Sequence, residues 1–175
     1  MALTQVIGRG LGTQTTLAGS NTLVLDTNGI MTKPLQPAFQ VTKSAAQNNI
    51  ATGSNVTVVY GSERFDVNAD FASNTFTAPV TGKYMLGARV RVDNLDQAAT
   101  YYYLAMVTSN ILYYNIISFS SPSSDQVHFH WDMNQLADMD AGDTAYMRLV
   151  QPDGTAQSDL TDDTGSQSFW GFLVA

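Results

Sequence analysis

Two histidines lie in the sequence at positions where a metal site can form. His128 and His130 are the only histidines of the chain, and in a strand they would share one side with Asp132. Imidazole nitrogens and carboxylate oxygens are zinc ligands, so this spacing permits a zinc site. Because no cysteine and no third histidine is available, we favour the interpretation that the three side chains form a solvated strand face.

A second candidate metal site is the acidic loop that contains Asp159, Asp162 and Asp163. Clustered carboxylates are typical ligands of calcium. A solvated acidic loop accounts for the same residues, and it is the interpretation that we favour. Calcium is therefore the one cofactor that the sequence leaves open.

The middle of the chain is rich in tyrosine, at residues 101–103 and 113–114. Tyrosine rings can form a platform for a sugar or a receptor, because they combine apolar faces with a polar hydroxyl. Packing in the core and between subunits is the interpretation that we favour. Residues 101–107 and 112–119 read as two strands that are apolar on both faces, so we expect them to be covered on both sides.

No pattern typical of a catalytic site is present. The sequence has no nucleophile elbow and no paired carboxylates, and a base for a serine is lacking unless His128 or His130 serves. The glycine-rich residues 8–12 are not a dinucleotide loop, since no strand precedes them and no helix follows. We expect a protein that is not an enzyme.

Charge and composition narrow the classes of partner. The chain has 8 Lys and Arg against 15 Asp and Glu, a net charge of −7, and its basic residues are not clustered. Nucleic acid and anionic membranes are bound by basic stripes, so we expect neither as a partner. The absence of cysteine excludes disulfides. No secretory signal or membrane span is evident, which predicts a soluble protein made in a cytoplasm.

The clearest structural signal is a strand within residues 76–92, after a turn at residues 80–83. The residues predicted to face a core are Tyr84, Leu86, Ala88, Val90 and Val92. Those predicted on the other side include Lys83, Met85, Gly87, Arg89 and Arg91. This period of two continues over ten positions, and it is typical of a strand with one buried face.

Short strands separated by turns continue to the end of the chain. We predict strands at residues 38–43, 56–60, 101–107, 112–119, 127–133, 144–150 and 168–175, with turns at residues 140–143 and 152–154. No window has helical periodicity. The pattern predicts an all-β sandwich or jelly roll.

The last strand, residues 168–175, is apolar on both sides. Phe169, Gly171 and Leu173 point one way, and Trp170 and Phe172 point the other. One side can fill the core, so the other needs a cover. A neighbouring subunit is the cover that we favour. The alternative is a central strand with both faces buried in one subunit.

Residues 1–36 differ from the rest, with five glycines and scattered apolar residues. Such a segment buries too little apolar area to order by itself. We therefore divide the chain into an attachment arm, residues 1–36, and a β domain, residues 37–175. The arm residues predicted to contact another subunit or a larger assembly are Leu3, Val6, Ile7, Leu11, Leu23 and Leu25.

The β domain resembles a known family in the order of its motifs. Pro37-Ala38-Phe39, the segment FTAPVTGKY at residues 76–84, the turn Ala141-Gly142-Asp143 and the segment FWGFL at residues 169–173 are similar to the globular heads of complement, the C1q-like domains of the tumour necrosis factor superfamily. The resemblance implies a ten-stranded jelly roll that assembles as a trimer. It also implies that Met85, Tyr146, Trp170 and Phe172 lie at the threefold interface.

The arm resembles the attachment segments of tailed-bacteriophage fibre and decoration proteins, in the opening MALTQV and in residues 25–34. The resemblance implies a trimeric virion protein, made in the bacterial cytoplasm and displayed on the virion surface. We expect a capsid decoration (cement) or head-spike protein bound to the major capsid protein or another virion protein. The alternatives are a tail-fibre tip that recognises a host receptor, and a free complement-like adhesion ligand.

Overall fold

The computed structural model describes residues 15–16, 23–25, 27–118 and 124–175. The chain divides into two compact units, Met1–Gln36 and Pro37–Ala175. Strands dominate the described residues, and the only helical element among them is a 3-10 turn at Val67–Ala69. None of the described residues forms a helix long and apolar enough to cross a membrane. The all-β prediction is confirmed.

The first unit contains a small antiparallel sheet of three two-residue strands, β1 (Thr15–Thr16), β2 (Val24–Leu25) and β3 (Met31–Thr32). β2 lies between the other two. A turn that includes Gly29, at φ +80°, connects β2 to β3. Glycine suits this position because it has no Cβ to oppose a positive φ.

The second unit contains the remaining described strands. They are β4 (Ala38–Thr42), β5 (Ser54–Thr57), β6 (Ser62–Asp66), β7 (Phe71–Ala72), β8 (Thr75–Thr77), β9 (Gly82–Leu95), β10 (Tyr101–Thr108), β11 (Leu112–Ser118), β12 (Gln126–Met139), β13 (Thr144–Gln151), β14 (Asp159–Leu160) and β15 (Ser168–Leu173).

These strands form two antiparallel sheets. In sheet I the order is β12-β9-β15-β4-β6, and β14 also pairs with β9. In sheet II the order is β11-β10-β13-β8-β7, and β5 also pairs with β13. The jelly-roll prediction is confirmed. The two-residue strands β7 and β14 raise the number of strands above the ten that we expected.

Aromatic side chains from the two sheets meet in the core of the second unit. The ring of Phe39, on β4, lies 4.6 Å from Phe76 and 5.3 Å from Phe71, both on sheet II. The same ring makes an edge contact with Phe169, on β15, at 5.0 Å. All four residues are buried. Burial of such rings is the main favourable contribution to folding of a chain without disulfides.

The predicted alternation of β9 is confirmed. Tyr84, Leu86, Val90 and Val92 have no exposed surface, and Arg89 on the other side is exposed. β15 lies at the centre of sheet I, between β9 and β4. The last strand of the chain is therefore a central strand, and its outward side remains open.

Candidate functional site

The outward side of sheet I carries a row of apolar side chains that cross four strands. In register, Phe172 lies opposite Ala38 on β4 and opposite Met85 on β9. Met85 in turn lies opposite Leu136 on β12. Phe172 is 44% exposed and Leu136 is 56% exposed. We call these four residues the apolar row; it is open to solvent in a single chain.

Trp170 extends the apolar row toward the middle of the sheet. Its ring stacks on that of Phe172, with centroids 6.2 Å apart and planes 11° from parallel. Opposite Trp170 in register are Gln40 and Gly87. Because Gly87 has no side chain, the indole can lie flat over β9, and Trp170 is half-buried rather than enclosed.

Two hollows flank Trp170 on this surface. One, of about 220 Å³, is lined by apolar side chains that include Ala38, Phe65 and Phe172. The other, of about 560 Å³, is lined largely by polar side chains, among them Arg64 and Asn134. The indole therefore separates an apolar part of the surface from a polar part.

Beyond Trp170 the outward side of sheet I becomes charged. Arg89 donates from Nε to Asp132 Oδ1 at 2.8 Å. Arg91 donates to both carboxylate oxygens of Asp93, at 2.6 and 2.9 Å. Burial by itself would raise the pKa of Asp93, but hydrogen bonds from Arg91 and His128 outweigh it and hold that pKa below its usual value. This end of the surface is a network of paired charges.

The zinc site that the spacing of His128, His130 and Asp132 permits is not assembled by these residues. His128 Nδ1 lies 2.8 Å from Asp93 Oδ1 and 3.0 Å from Arg91 Nη2, so a guanidinium occupies the space beside the imidazole. Asp132 is paired with Arg89 instead. In the described part of the chain, no three histidine or acidic side chains converge as a metal site would require.

The acidic loop does not converge on one point either. Asp159 accepts hydrogen bonds from the backbone of Asn49 and the amide of Asn94. Asp163 accepts from the backbone N–H of Gly165, and this bond is the main reason that its pKa is lowered. Asp162 interacts electrostatically with Lys43. The three carboxylates thus serve different partners, and the calcium alternative gains no support.

Tyr146 lies apart from the other three residues predicted at the interface. It is on β13 of sheet II, opposite Val107, whereas Met85, Trp170 and Phe172 share the outward side of sheet I. Sequence analysis missed Leu136, which alternation alone places on the side of His130 and Asp132. The structure therefore replaces Tyr146 by Leu136 in the cluster around Phe172.

Within a single chain the tyrosine-rich strands are covered on one side, and cover of the other side by a subunit stays a prediction. Tyr102 is buried in the core, and Tyr113 is partly buried and packs against that core. The outward side of β11 is open: Leu112 is 42% exposed, Tyr114 57% and Ile116 56%. β11 is an edge strand of sheet II, so no neighbouring strand shields its outer margin.

Most of the predicted arm contacts lie outside the described residues, namely Leu3, Val6, Ile7 and Leu11. Leu23 is half-buried, and Leu25 belongs to β2. Met31, on β3, is 62% exposed. The described part of the first unit therefore presents at least one large apolar side chain to solvent.

Comparison with known proteins identifies the fold. No protein-family model matches the sequence, and no curated protein does. Among solved structures, the chain is similar to the globular domain of zebrafish complement 1qA protein, with 17% sequence identity and a TM-score of 0.57. The match covers 80% of this chain and 98% of the zebrafish chain. The protein therefore has the jelly-roll fold of the C1q globular domain.

Proposed function

We propose that the protein is a homotrimeric structural protein of a bacteriophage virion, displayed as a capsid decoration or head-spike protein. The observation that carries the trimer is the apolar row on the outward side of sheet I, continued by Trp170. A surface of this kind on a soluble domain is typical of a subunit interface. The C1q-like fold supports a role in binding or assembly rather than catalysis.

Closed symmetry explains how such a surface is hidden from water. Three copies arranged around one axis can bury Phe172, Met85 and Leu136 of every copy at once, and no copy is left with an open face. The charged network around Arg91 and Asp93 lies along the same sheet. In a trimer its paired charges would set the register between subunits, because a like-charge contact disfavours wrong alignments.

Attachment through the first unit is the second part of the proposal. Met1–Gln36 is a compact unit of its own, and its described strands have only two residues each. Short strands and the exposed Met31 favour a segment that gains stability by docking on another protein. The partner that we infer is the major capsid protein or another protein of the virion, which the arm would clamp from outside.

Two measurements test the proposal. Light scattering of the Phe172→Asp variant should give one-third of the wild-type mass, because a carboxylate at each copy's apolar row opposes burial. Val59→Asp is the matched control, since Val59 is also about half-exposed, at 47%, but lies outside the row. A monomeric mass for the wild-type protein would refute the proposed trimer.

The attachment role is tested on particles. Protein lacking residues 1–36 should remain trimeric and should lose its place on virions, as measured by quantitative gel analysis of purified particles. Unchanged occupancy would rule out attachment through the arm.

A second candidate function, recognition of a host receptor, is favoured by the exposed aromatic side of sheet II. Tyr114 and Ile116 are both more than half exposed there. The two candidates differ in a simple respect: a decoration protein binds shells and not cells, whereas a receptor-binding protein retains binding to host cells as an isolated trimer.

A further inference from the structure

The outward side of β10, β11 and β13 forms an aromatic surface with a cation at its centre. We call it the tyrosine face; its central residues are Tyr103, Tyr114, Tyr146 and Arg148. Register places Tyr103 opposite Ile116, and Ala105 opposite both Tyr114 and Arg148. Ala105 has no exposed surface, so the larger neighbouring side chains cover it and form a continuous surface.

The rings of this surface contact one another. Tyr101 and Tyr103 are nearly parallel, with centroids 6.2 Å apart and planes 15° from parallel. Tyr103 and Tyr114 lie 5.8 Å apart at 56°. Rings that are packed in this way lose little further conformational freedom when a ligand binds, which favours affinity.

Arg148 is the only acidic or basic residue at the described outward positions of these three strands. Its Cζ lies 5.9 Å from the centre of the Tyr103 ring, and its Nη2 lies 3.4 Å from the Tyr103 hydroxyl oxygen. The ion pairs found among the described residues do not include it. Its Nε is buried without a hydrogen-bond partner in the described structure.

An arginine in this setting is prepared for an anion. A guanidinium has five N–H donors in a planar fork that matches a carboxylate in two parallel hydrogen bonds. The chain carries a net charge of −7, so acidic side chains are abundant, yet none of the described ones pairs with Arg148. Charge complementarity therefore points to an anionic group supplied by the ligand.

The neighbours of Arg148 narrow the class of that ligand. Tyr114 and Ile116 offer apolar area, and the tyrosine hydroxyls offer hydrogen bonds at the edge of the same surface. An acidic peptide fits less well, because it would bring several negative charges to a surface with a single cation. A sugar ring that bears one carboxylate matches the surface better, because it has an apolar C–H face, several hydroxyls and one negative charge.

We propose that the tyrosine face binds an acidic saccharide, with the carboxylate of a uronic acid residue on Arg148 and the sugar rings against Tyr103 and Tyr114. This proposal deepens the second candidate function, since it names the chemistry of the receptor. It does not depend on the apolar row of sheet I or on the arm.

Calorimetric titration of the full chain with oligogalacturonate tests the proposal, and maltooligosaccharide of equal length is the neutral probe. The wild-type protein should bind only the acidic probe. Arg148→Met and Tyr114→Ala should each weaken binding by roughly tenfold or more, the loss typical of one charge-assisted or aromatic contact. Arg148→Lys should recover part of the affinity, because it keeps the charge and loses the fork.

The matched control is Arg89→Met, which removes an exposed cation from sheet I and should leave saccharide binding unchanged. Equal binding of the acidic and neutral probes, or full binding by Arg148→Met, would overturn the proposal. The mass of Tyr114→Ala is measured in parallel with that of the wild type. If the variant has a smaller mass than the wild-type oligomer, the tyrosine face is a subunit contact and not a saccharide site. Absence of the wild-type protein from purified particles, with intact saccharide binding, would refute only the virion role.

Discussion

The indole of Trp170 lies directly over the backbone of Gly87 on the neighbouring strand. A methyl group placed at Gly87 would fall 2.1 Å from Cζ2 and 2.3 Å from Cε2 of that indole. It would also fall 2.7 Å from Oδ1 of Asn134 on the other side. The glycine of β9 therefore determines that Trp170 lies flat on sheet I, where it stacks on Phe172.

The substitution Gly87→Ala should displace the indole and lower the free energy of unfolding by about 1–3 kcal/mol, the usual cost of overpacking. Thermal denaturation measures the loss. Tryptophan emission should shift to longer wavelength, since Trp131 is buried and only Trp170 would move into water.

Gly165→Ala is the control for this experiment, because a methyl group there meets only Asp163 Oδ1, at 3.4 Å. It should behave like the wild type. Equal stability and emission for Gly87→Ala and Gly165→Ala would show that Trp170 does not depend on the space above Gly87.

Lys43 makes the stability of the domain depend on pH in the alkaline range. Its side chain is buried, and Nζ donates to the backbone oxygen of Val59 at 3.0 Å. Burial lowers the pKa of Lys43 to about 8, against a smaller opposing attraction from Asp162. Below that pH the native protein holds a buried charge. Between about pH 8 and pH 10 the unfolded chain retains a proton that the native chain has released, so stability rises with pH.

The wild-type protein should therefore gain up to about 2 kcal/mol relative to Lys43→Met between about pH 8 and pH 10. Urea denaturation at both values measures this difference. The variant is the necessary reference, because burial raises the pKa of Tyr60, and ionisation of that tyrosine in the unfolded chain lowers the stability of both proteins at high pH. If the stability difference between the wild type and Lys43→Met stays constant with pH, the lowered pKa of Lys43 is contradicted.

Asp96 connects two loops and should make stability depend on pH in the acid range. Its carboxylate accepts backbone N–H groups from Ala98 at 2.8 Å, from Ala156 at 2.7 Å and from Thr155. Burial alone would raise the pKa of Asp96, but these donors outweigh it and hold the pKa below the usual value. The stabilisation is complete above the pKa of the unfolded chain and is lost as pH falls through the pKa of the native protein.

Asp96→Asn should reduce the free energy of unfolding by about 1–3 kcal/mol at neutral pH. The Asn side chain has one neutral acceptor oxygen in place of the two oxygens of the charged carboxylate. The difference from the wild type should shrink as pH falls below about 4. Guanidinium denaturation as a function of pH measures it. Asp138→Asn, at an exposed ion pair with Lys83, should change stability little at any pH. A similarly small effect of Asp96→Asn would show that the loops are held by other contacts.

Alternation along β9 was sufficient to predict which of its side chains enter the core, whereas on β15 it separated two apolar sides without deciding which one is buried. A strand has a period of two, so the separation of Leu86 from Met85, and of Phe169 from Trp170, follows from local geometry. Turn chemistry was equally local. Gly142, in the turn predicted at residues 140–143, adopts φ +94°, a conformation that glycine adopts without strain.

The same reasoning failed where both faces of a strand are apolar. For β11 the pattern could not distinguish a covered central strand from an edge strand, because both can alternate Tyr, Ile and Leu without a polar face. Residues 159–160 were likewise interpreted only as part of an acidic loop, yet they form β14 and pair with β9. A two-residue strand has no period to detect.

The amino-acid sequence by itself determined the all-β class, the position of most strands and the two faces of β9 and β15, since these depend on residues that are neighbours along the chain. Only the tertiary structure decided which strands lie side by side. Pairing between distant segments separates Tyr146 on sheet II from Met85, Phe172 and Leu136 on sheet I. Hydrogen bonds between distant strands select these neighbours, and no local pattern encodes that selection.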